Sequence, residues 1–483
     1  MSATRKAAIG KIAGGRVAVV GGGWAGCAAA VALADAGARV TLFEAARTLG
    51  GRARSVEARG RQLDNGQHIM LGAYDATLGL LRRVGVDASA AILRLPLQMR
   101  YPPGSGLMDF VAPRLPAPWH MLVALLASRG LERDDKLALA RFSTSARWMG
   151  WQLHDDCSVA ELLERFDQTP RLTRLMWRPL CLAALNTPPE RASAQVFLAV
   201  LRDSLGARRA ASDMLLPRLL LDALFPDAAR RHVEARGGRV LCGARVEAIA
   251  CDGGRWRVTV AGNGAGIETA APGSNIDIAD SGDTDGSDAN FDGVVLATAP
   301  WQSAALLRPL PGSLPGAAAV ASQLDALDYE PISTVYLQYA PTVRLPLPFC
   351  ALLDEPAHGA WGQFVFDRGQ LDPGQDGLLA VVISGALEAA ALEREVLARA
   401  VASQLATAFG NDALAQPAWH QVITEKRATF ACAPGLGRPG NAVDGLPGLA
   451  LAGDYTACDY PATLESAVRS GLAAAGTVAG ALA

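Results

Sequence analysis

The stretch RVAVVGGGWAGCAAAVALADAGARVTLFEAARTLGGRAR, residues 16–54, decides the fold of this chain. It opens with an apolar run at 17–20, which is typical of a buried parallel strand. An alanine-rich segment from 25 to 36 predicts a helix that ends at Gly37. A second strand is predicted over 39–43, immediately before Glu44. The strand, helix and strand are the first half-unit of a doubly wound α/β fold.

Three glycines in this stretch, Gly21, Gly23 and Gly26, fit the pattern G-x-G-x-x-G. The first allows a tight turn, the second lets the backbone approach a pyrophosphate, and the third lets helix and strand pack closely. The helix N-terminus offers free N–H groups and a positive dipole end to phosphates. Glu44 follows at close to the spacing of about 20 residues expected for a ribose-binding acid. A glycine turn without a ligand is the alternative, but the order of all these features favours a dinucleotide site.

Composition limits the possible partners and compartments. The 483 residues are enough for two or three domains, and the net charge of −2 favours no nucleic-acid partner. No apolar run reaches the ~18 residues of a membrane span, and the N-terminus lacks the apolar core of a secretory signal. The eight cysteines are scattered without C-x-x-C, which predicts reduced, mostly buried thiols in a cytoplasmic protein and no metal site.

A second polar block lies at residues 62–72, QLDNGQHIMLG. Its simplest interpretation is a surface turn followed by a strand. His68 is its most reactive member, because imidazole can act as an acid or a base near neutral pH. A lone histidine is nevertheless more often structural.

The middle of the chain, residues 76–235, predicts mostly helices. Residues 119–151 predict two helices that carry aromatic and basic residues around an apolar face, which suits either a membrane interface or a protein core. Residues 175–206 predict two apolar helices around a polar break at 186–190. Such walls would suit a cavity for a long hydrocarbon, but any helical core has the same pattern.

Later segments return to α/β patterns. Residues 262–290 are rich in Gly, Asn, Asp and Ser and predict a flexible insertion. Strands are predicted over 333–339, 362–366 and 378–384, in a mixed sheet that forms the floor of a substrate pocket. Residues 449–471 predict a strand, a turn with Asp454, and a helix.

Several stretches resemble known flavoenzymes. Gly50, Gly51, Arg52 and Arg54, placed after Glu44, resemble the extended FAD signature of flavin amine oxidases and phytoene-type desaturases. Three further stretches resemble the hydroxysqualene dehydroxylase family, a squalene-associated branch of that superfamily: DNGQHIMLGAY (64–74), LNTPPERASAQVF (185–197) and AGDYTACDYPATLESAVRSG (452–471).

The resemblance implies a specific α/β architecture. It consists of a Rossmann-like FAD-binding domain of the flavin amine oxidase type, an inserted substrate domain with a mixed sheet, and a helical region that contacts the membrane. The FAD-binding domain would comprise residues 16–75, 236–310 and 431–483. The helical region would span 76–235, and the substrate domain would span 311–430.

The resemblance also assigns FAD-binding residues: Gly21, Gly23, Trp24, Ala25, Gly26, Glu44, Ala45, Gly51, Arg52, Asn65, Gly66, Gln67, Val246, Gly453, Asp454, Ala462, Thr463 and Leu464. It implies that Val246 lies over the adenine and that Asp454 binds the ribityl and phosphate region. The helix that begins near 462–464 would point its N-terminus at the flavin, where its dipole stabilises the negative charge of the reduced ring.

The implied reaction is reductive. Hydroxysqualene would lose its hydroxyl group and gain a hydride, giving the triterpenoid squalene for hopanoid synthesis. His68, Asp459 and Tyr460 are candidates for the acid that assists hydroxyl departure, and the sequence does not rank them. A carotenoid desaturase and an amine oxidase are alternatives, while the intact phosphate loop disfavours a flavin-free binding protein.

The same interpretation predicts the electron donor and the cellular location of the protein. The sequence has no second fingerprint in a strand-to-helix context for NAD(P)H, so an external electron donor or reductase is expected. The chain is expected in the cytoplasm, in peripheral contact with the inner face of the cytoplasmic membrane.

Overall fold

A computed structural model describes residues 12, 14–206, 208–261, 288–311 and 315–483. In this part of the chain the strands are β1 (Arg16–Val20), β2 (Arg39–Glu44), β3 (Ser55–Ala58), β4 (Arg61–Asp64), β5 (Met70–Leu71), β6 (Ile92–Leu95), β7 (Gln98–Arg100), β8 (Asp109–Val111), β9 (Met214–Pro217), β10 (Arg239–Cys242), β11 (Val246–Asp252), β12 (Arg255–Val260), β13 (Asp288–Phe291), β14 (Gly293–Leu296), β15 (Tyr329–Gln338), β16 (Phe349–Ala351), β17 (Phe364–Asp367), β18 (Leu378–Ser384), β19 (Trp419–Phe430) and β20 (Leu449–Leu451).

The α-helices of the same residues are α1 (Trp24–Asp35), α2 (Asp75–Arg83), α3 (Ala88–Ala91), α4 (Trp119–Ala127), α5 (Arg133–Trp148), α6 (Val159–Arg165), α7 (Pro170–Leu172), α8 (Arg178–Leu185), α9 (Ala194–Ser204), α10 (Leu221–Leu224), α11 (Pro226–Glu234), α12 (Pro300–Leu307), α13 (Pro315–Asp325), α14 (Leu387–Ala391), α15 (Arg394–Phe409) and α16 (Leu464–Leu482).

One of the two five-stranded sheets in the described residues is parallel, with the strand order β10-β2-β1-β14-β20. Its central strand, β1, is buried from Val17 to Val20 because helices cover both faces of such a sheet. Helices α1 and α16 pack against each other beside it. The predicted first strand, helix and second strand are confirmed within one or two residues, and the Rossmann-like α/β class is confirmed with them.

A second sheet, in the order β16-β17-β18-β15-β19, lies in residues 329–430. Every pairing in it is antiparallel, rather than the mixed arrangement that the sequence predicts. The connections from β16 to β17 (352–363) and from β17 to β18 (368–377) contain no α-helix that could serve as a crossover, and parallel neighbours need such a crossover. Alternate residues of β15, including Val335 and Leu337, pack in one core with Val401 and Leu405 of α15. The opposite face of the sheet therefore points into the interior of the protein.

Strand β19 has no counterpart among the predicted strands. Its apolar pattern is interrupted by Glu425, Lys426 and Arg427, so periodicity alone does not mark it. Its register against β15 shifts between the pairs Ile332–Glu425 and Glu330–Thr429. Such a bulge changes which side chains reach each face of a strand.

The region from 76 to 235 contains most of the short helices, and its strands β6 and β9 form a small antiparallel sheet with β5, which precedes the region. The two helices predicted over 119–151 are α4 and α5. No helix in the described ranges is long and apolar enough to cross a membrane. All eight cysteines have free thiols, and five of them are buried.

The predicted flexible insertion at 262–290 lies mostly outside the described residues, which resume at 288. Residues 288–290 belong to β13, which pairs with β12, so the insertion cannot extend to 290 as predicted. The predicted domain boundaries stay predictions.

Candidate active site

A cavity of about 750 Å³ is lined by residues of both large sheets. All of the predicted FAD-binding residues except Gly26 line it, and so does His68. These residues come from segments more than 400 positions apart in the chain, so the fold assembles them into one site. Their individual roles toward FAD stay predictions.

The three fingerprint glycines occupy three different environments. Gly21 has φ +106°, which favours glycine, and a Cβ there would lie 2.6 Å from the carbonyl oxygen of Ala297. A Cβ at Gly26 would lie 1.9 Å from the carbonyl oxygen of Gly21, so this glycine permits the close packing of turn and helix. A Cβ at Gly23 would meet only the Cα of Gly51, at 3.9 Å, and would otherwise fill the cavity. The bare backbone at Gly23 therefore provides the space that a pyrophosphate needs.

Glu44 stands at the carboxyl end of β2. Its two oxygens accept hydrogen bonds from the backbone N–H groups of Gly22 (2.6 Å) and Ala46 (2.7 Å). These bonds hold the carboxylate in place at the cavity wall. A carboxylate fixed at this strand end fits the ribose hydroxyl groups of a dinucleotide.

Arg52 joins distant parts of the site. Its guanidinium donates to Asp454 Oδ1 (2.6 Å) and to the carbonyl oxygen of Ala428 (2.5 Å). Asp454 follows β20, and Ala428 belongs to β19, so one side chain links the glycine turn, the parallel sheet and the antiparallel sheet.

The block at 64–68 forms the next part of the lining. Gln67 donates to the hydroxyl group of Tyr336 (2.8 Å) and accepts from Arg368 (3.0 Å). Tyr336 in turn donates to the carbonyl oxygen of Asp64 (2.7 Å). The loop is thus fastened to the antiparallel sheet by hydrogen bonds at Asp64 and Gln67.

His68 lines the cavity and lies beside Gly66, whose carbonyl oxygen is 3.1 Å from its Nδ1. Burial lowers the pKa of His68, with the nearby Arg52 charge acting in the same direction. The imidazole is therefore neutral near pH 7, and it donates from Nδ1 to Gly66 in the tautomer that makes this bond.

The start of α16 closes the cavity near the parallel sheet. Thr463 caps the helix by accepting from the backbone N–H of Ser466 (3.1 Å), and it lines the cavity with Ala462 and Leu464. The first turn of a helix leaves N–H groups without intrahelical partners, so this end can stabilise negative charge.

The other two predicted acids lie outside the cavity lining. The side chain of Asp459 is 71% exposed and pairs with Arg202 (3.5 Å). The hydroxyl group of Tyr460 donates to Asp203, and burial raises the pKa of Tyr460 to about 12. The structure thus brings His68, but neither Asp459 nor Tyr460, into the cavity, because the turn before α16 directs residues 459 and 460 toward α9.

The rest of the lining comes mainly from segments that the sequence predicts as the walls and floor of a substrate pocket, but its individual residues were not singled out. It includes an apolar set, Leu182, Ala183, Ala184, Ile332, Phe364, Phe366 and Val382, and a polar set, Asn186, Ser384, Glu425 and Thr429. Asn186 has φ +51° and donates to Thr429 Oγ1 (2.9 Å) while accepting from the N–H of Gly385 (2.7 Å). The polar break predicted in the middle of 175–206 marks this position, but only the register of the sheet shows its partners.

The residues present fit FAD. The open face of Gly23, the fixed carboxylate of Glu44 and the N-terminus of α16 all border the same cavity. The fold and this cavity define an FAD-dependent oxidoreductase. A family model described as flavin containing amine oxidoreductase matches residues 24–479, and the chain belongs to this family.

Individual relatives narrow the similarity. Hydroxysqualene dehydroxylase of Rhodopseudomonas palustris is 30% identical over 475 residues, covering 96% of this chain and 98% of the relative. Zeta-carotene desaturase of Synechocystis is 25% identical over 493 residues, covering 95% and 96%. The solved structure of cyclohexylamine oxidase from Brevibacterium oxydans covers 97% of this chain and 99% of its own, with a TM-score of 0.64 and 17% identity. The predicted resemblance to the hydroxysqualene dehydroxylase family is confirmed, and the solved structure confirms the fold.

Proposed function

We propose that this protein reduces hydroxysqualene to squalene, with FAD as its cofactor. The observation that carries the proposal is one cavity in which the glycine turn at Gly21, Gly23 and Gly26, here called the glycine cradle, meets an apolar face of the antiparallel sheet. A hydrocarbon alcohol needs such a chamber, because apolar walls bind its chain while a few polar groups fix its hydroxyl group. The similarity to hydroxysqualene dehydroxylases favours this substrate over other long hydrocarbons.

The apolar wall comes from two elements. Phe364 pairs with Val382 across β17 and β18, and these side chains lie on the face opposite the α15 core. Leu182 and its two alanine neighbours in α8 add a second wall. Both walls are held by the sheet and a capped helix, so the chamber does not depend on a loop.

When bound and reduced, FAD supplies a hydride. The chain orients the substrate and excludes water from the carbon that receives the hydride, since a cation-like allylic centre would otherwise be captured by water. His68, neutral and bordering the cavity, hydrogen-bonds the hydroxyl group and positions it. The first turn of α16 lowers the energy of negative charge beside it.

No specific feature of the cavity favours the two alternative functions, an amine oxidase and a carotenoid desaturase. Phe364 and Phe366 line the cavity, but both pack on Phe349, with ring centroids at 5.3 and 5.1 Å. They therefore belong to one continuous wall rather than to two rings facing an amine. The carotene desaturase relative is less similar to this chain than the hydroxysqualene dehydroxylase.

The direct test compares substrates under defined redox conditions. Anaerobically reduced holoenzyme mixed with hydroxysqualene should give squalene and oxidised flavin in equal amounts, measured by mass spectrometry and absorbance. Oxidised holoenzyme mixed with phytoene, zeta-carotene or benzylamine should stay oxidised. Desaturation of a carotene without squalene formation would replace this proposal with the desaturase.

Membrane contact at α4 and α5 belongs to the same proposal. Trp119, Leu126 and Trp148 are 58%, 65% and 87% exposed, while Arg133 and Arg141 are exposed on α5. Lys136 binds the carbonyl oxygens of Leu126 and Ser128, both at 2.9 Å, and so holds the two helices together. Aromatic and aliphatic side chains flanked by cations suit the interface of an anionic bilayer, where the substrate also resides.

Vesicle flotation tests this contact. Holoenzyme should float with vesicles that contain phosphatidylglycerol, and the double variant Leu122→Glu/Leu126→Glu should float at least tenfold less. The matched control is Leu387→Glu/Val396→Glu, which places two charges on exposed apolar residues of α14 and α15. Equal loss in both variants would show that net charge, and not this surface, governs binding.

Electrons are proposed to come from an external donor. The glycine cradle serves FAD, and the sequence has no second fingerprint in a strand-to-helix context for a nicotinamide cofactor. Anaerobic NADPH alone should leave the flavin absorbance unchanged over the turnover time, whereas adding a flavin or iron–sulfur reductase should bleach it. Rapid bleaching by NADPH alone would contradict the need for a donor protein.

A further inference from the structure

We propose that Glu425 is the catalytic acid that protonates the departing hydroxyl group, a role that rests on the proposed function. Among the described residues, four acidic side chains line the cavity: Glu44, Glu247, Glu425 and Asp454. Protonation is needed because hydroxide is a poor leaving group, whereas water leaves readily. The four carboxyl groups differ in their availability for this task.

Two of them are held by other groups, and a third lies away from the chamber. Glu44 is held by two backbone N–H groups, and Asp454 forms an ion pair with Arg52 at 2.6 Å. Glu247 is an exposed residue of β11, next to the predicted adenine contact Val246 and away from the antiparallel sheet. Glu425 is the acid that remains beside the apolar chamber.

The register of the antiparallel sheet places Glu425 on the chamber floor. Ser384 of β18 pairs with Ile332 of β15, which pairs with Glu425 of β19. Residues paired across antiparallel strands point to the same face. All three line the cavity, in the row next to Phe364 and Val382. The carboxyl group therefore lies at the edge of an otherwise apolar surface.

The contacts of Glu425 place it where the cofactor loop meets the sheet. Asn65 Nδ2 lies 3.4 Å from Glu425 Oε2 and 3.2 Å from the carbonyl oxygen of Arg52. No other hydrogen bond and no ion pair within 4 Å reaches this carboxyl group from the part of the chain that the structure describes, and the charge of Arg52 acts on it from a longer distance. A carboxyl group with one long bond to a neutral amide keeps an oxygen free for a substrate hydroxyl group.

The earlier candidates are less suited to donate the proton. Neutral His68 already uses Nδ1 toward Gly66, and a neutral imidazole is a weak acid. Asp459 and Tyr460 lie outside the lining. His68 thus remains a positioning group, and Glu425 provides the proton.

Proton transfer and hydride transfer together balance the reaction. The Glu425 proton moves to the hydroxyl oxygen, the carbon–oxygen bond breaks with both electrons on oxygen, and water leaves. A bound, reduced FAD would supply the hydride to this carbon, so the substrate would be reduced by two electrons and the cofactor would be oxidised. The Glu425 carboxylate then regains a proton from solvent.

The experiment pairs a substitution with a change of leaving group. Reduced Glu425→Gln enzyme should reoxidise with hydroxysqualene at least ~100-fold more slowly than wild type, the lower end for loss of a general acid. With the allylic chloride analogue, in which the leaving group needs no proton, the two should agree within about threefold. Glu425→Asp, which keeps a carboxyl group, should retain part of the rate with the alcohol.

The controls separate catalysis from folding. Glu388→Gln, an exposed residue of α14, should match wild type with both substrates, and all variants should hold one FAD per chain by absorbance. Equal rates of Glu425→Gln and wild type with the alcohol, or equal slowing with both leaving groups, would overturn the assignment. If wild type itself forms no squalene, the proposed function fails before the role of Glu425 is reached.

Discussion

The glycine cradle and the floor of the antiparallel sheet border the same cavity, but they are specified in different ways. The cradle is made by neighbours in sequence, and the three glycines act through backbone geometry within six positions of each other. The floor is made by side chains up to 93 positions apart, from Ile332 to Glu425, brought together by register. One region depends on local spacing, and the other depends on the pairing of strands.

This difference separates two kinds of chemical information. Backbone N–H groups and bare glycine surfaces recognise a phosphate whatever the reaction, so the cradle identifies the cofactor. Side chains of the sheet decide which substrate lies beside it, and a shift of one residue would turn Ile332 and Glu425 to the other face. Changes in the side chains of the sheet can therefore change the substrate while the glycine cradle stays the same.

The largest effect is expected from a substitution that disrupts only the glycine cradle. Gly26→Val places a Cβ 1.9 Å from the carbonyl oxygen of Gly21, and backbone on both sides cannot move away cheaply. We expect loss of FAD and of more than about 4 kcal/mol of stability, the range of severe backbone clashes. Flavin absorbance and chemical unfolding measure both.

A glycine in open space provides the control for that change. Gly476 lies in α16 with nothing within 4 Å of its would-be Cβ. Gly476→Ala should keep FAD and gain about 0.5–1 kcal/mol, because alanine favours a helix over glycine. A stable, FAD-loaded Gly26→Val protein would contradict the idea that the cradle is specified by backbone packing.

The same contrast explains what the sequence could predict. The fingerprint and Glu44 were identifiable because spacing and element order carry their meaning, whereas the role of Asp454 was implied by the family resemblance. The structure places all of them at or beside the cavity. Glu425 was not identifiable, since it lies in a strand whose charged run hides the apolar pattern and whose bulge alters the register. Asp459 and Tyr460 were predicted as candidate acids, but the turn before α16 carries them to Arg202 and Asp203.

The next largest expected effect is a dependence of stability on pH, caused by Asp64, whose backbone is hydrogen-bonded to the antiparallel sheet. Asp64 is 3% exposed, and burial raises its pKa to about 6, against the pull of Arg368. Because the pKa is higher in the folded state than in the unfolded state, Asp64 contributes most to the free energy of unfolding below about pH 4. This contribution falls as the pH rises to about 6. Its full size is about 3 kcal/mol, from the difference between this folded pKa and an unfolded pKa of about 4.

Thermal midpoints of wild type and Asp64→Asn from pH 4 to pH 8 test this effect. The variant midpoint minus the wild-type midpoint should rise between pH 4 and 6 and then stay level. The asparagine side chain of the variant can still accept the hydrogen bond from the Leu221 N–H that Asp64 accepts at 2.9 Å, and the charge on Arg368 adds only an offset independent of pH. A difference that is flat from pH 4 to 8 would show that Asp64 does not titrate in this window.

The smallest effect tests the link between the two regions. Arg52→Ala removes the partner of Asp454, whose side chain is 8% exposed, and leaves the carbonyl oxygen of Ala428 without this donor. We expect a loss of about 2 kcal/mol, below the range for fully buried pairs because the Arg52 side chain is 37% exposed. Removing the exposed pair of Arg83 and Asp35, 3.5 Å apart, by Arg83→Ala should cost under about 0.5 kcal/mol. If Arg52→Ala costs no more than Arg83→Ala in unfolding and keeps its FAD affinity, the cradle and the sheet are held together by packing and not by this guanidinium.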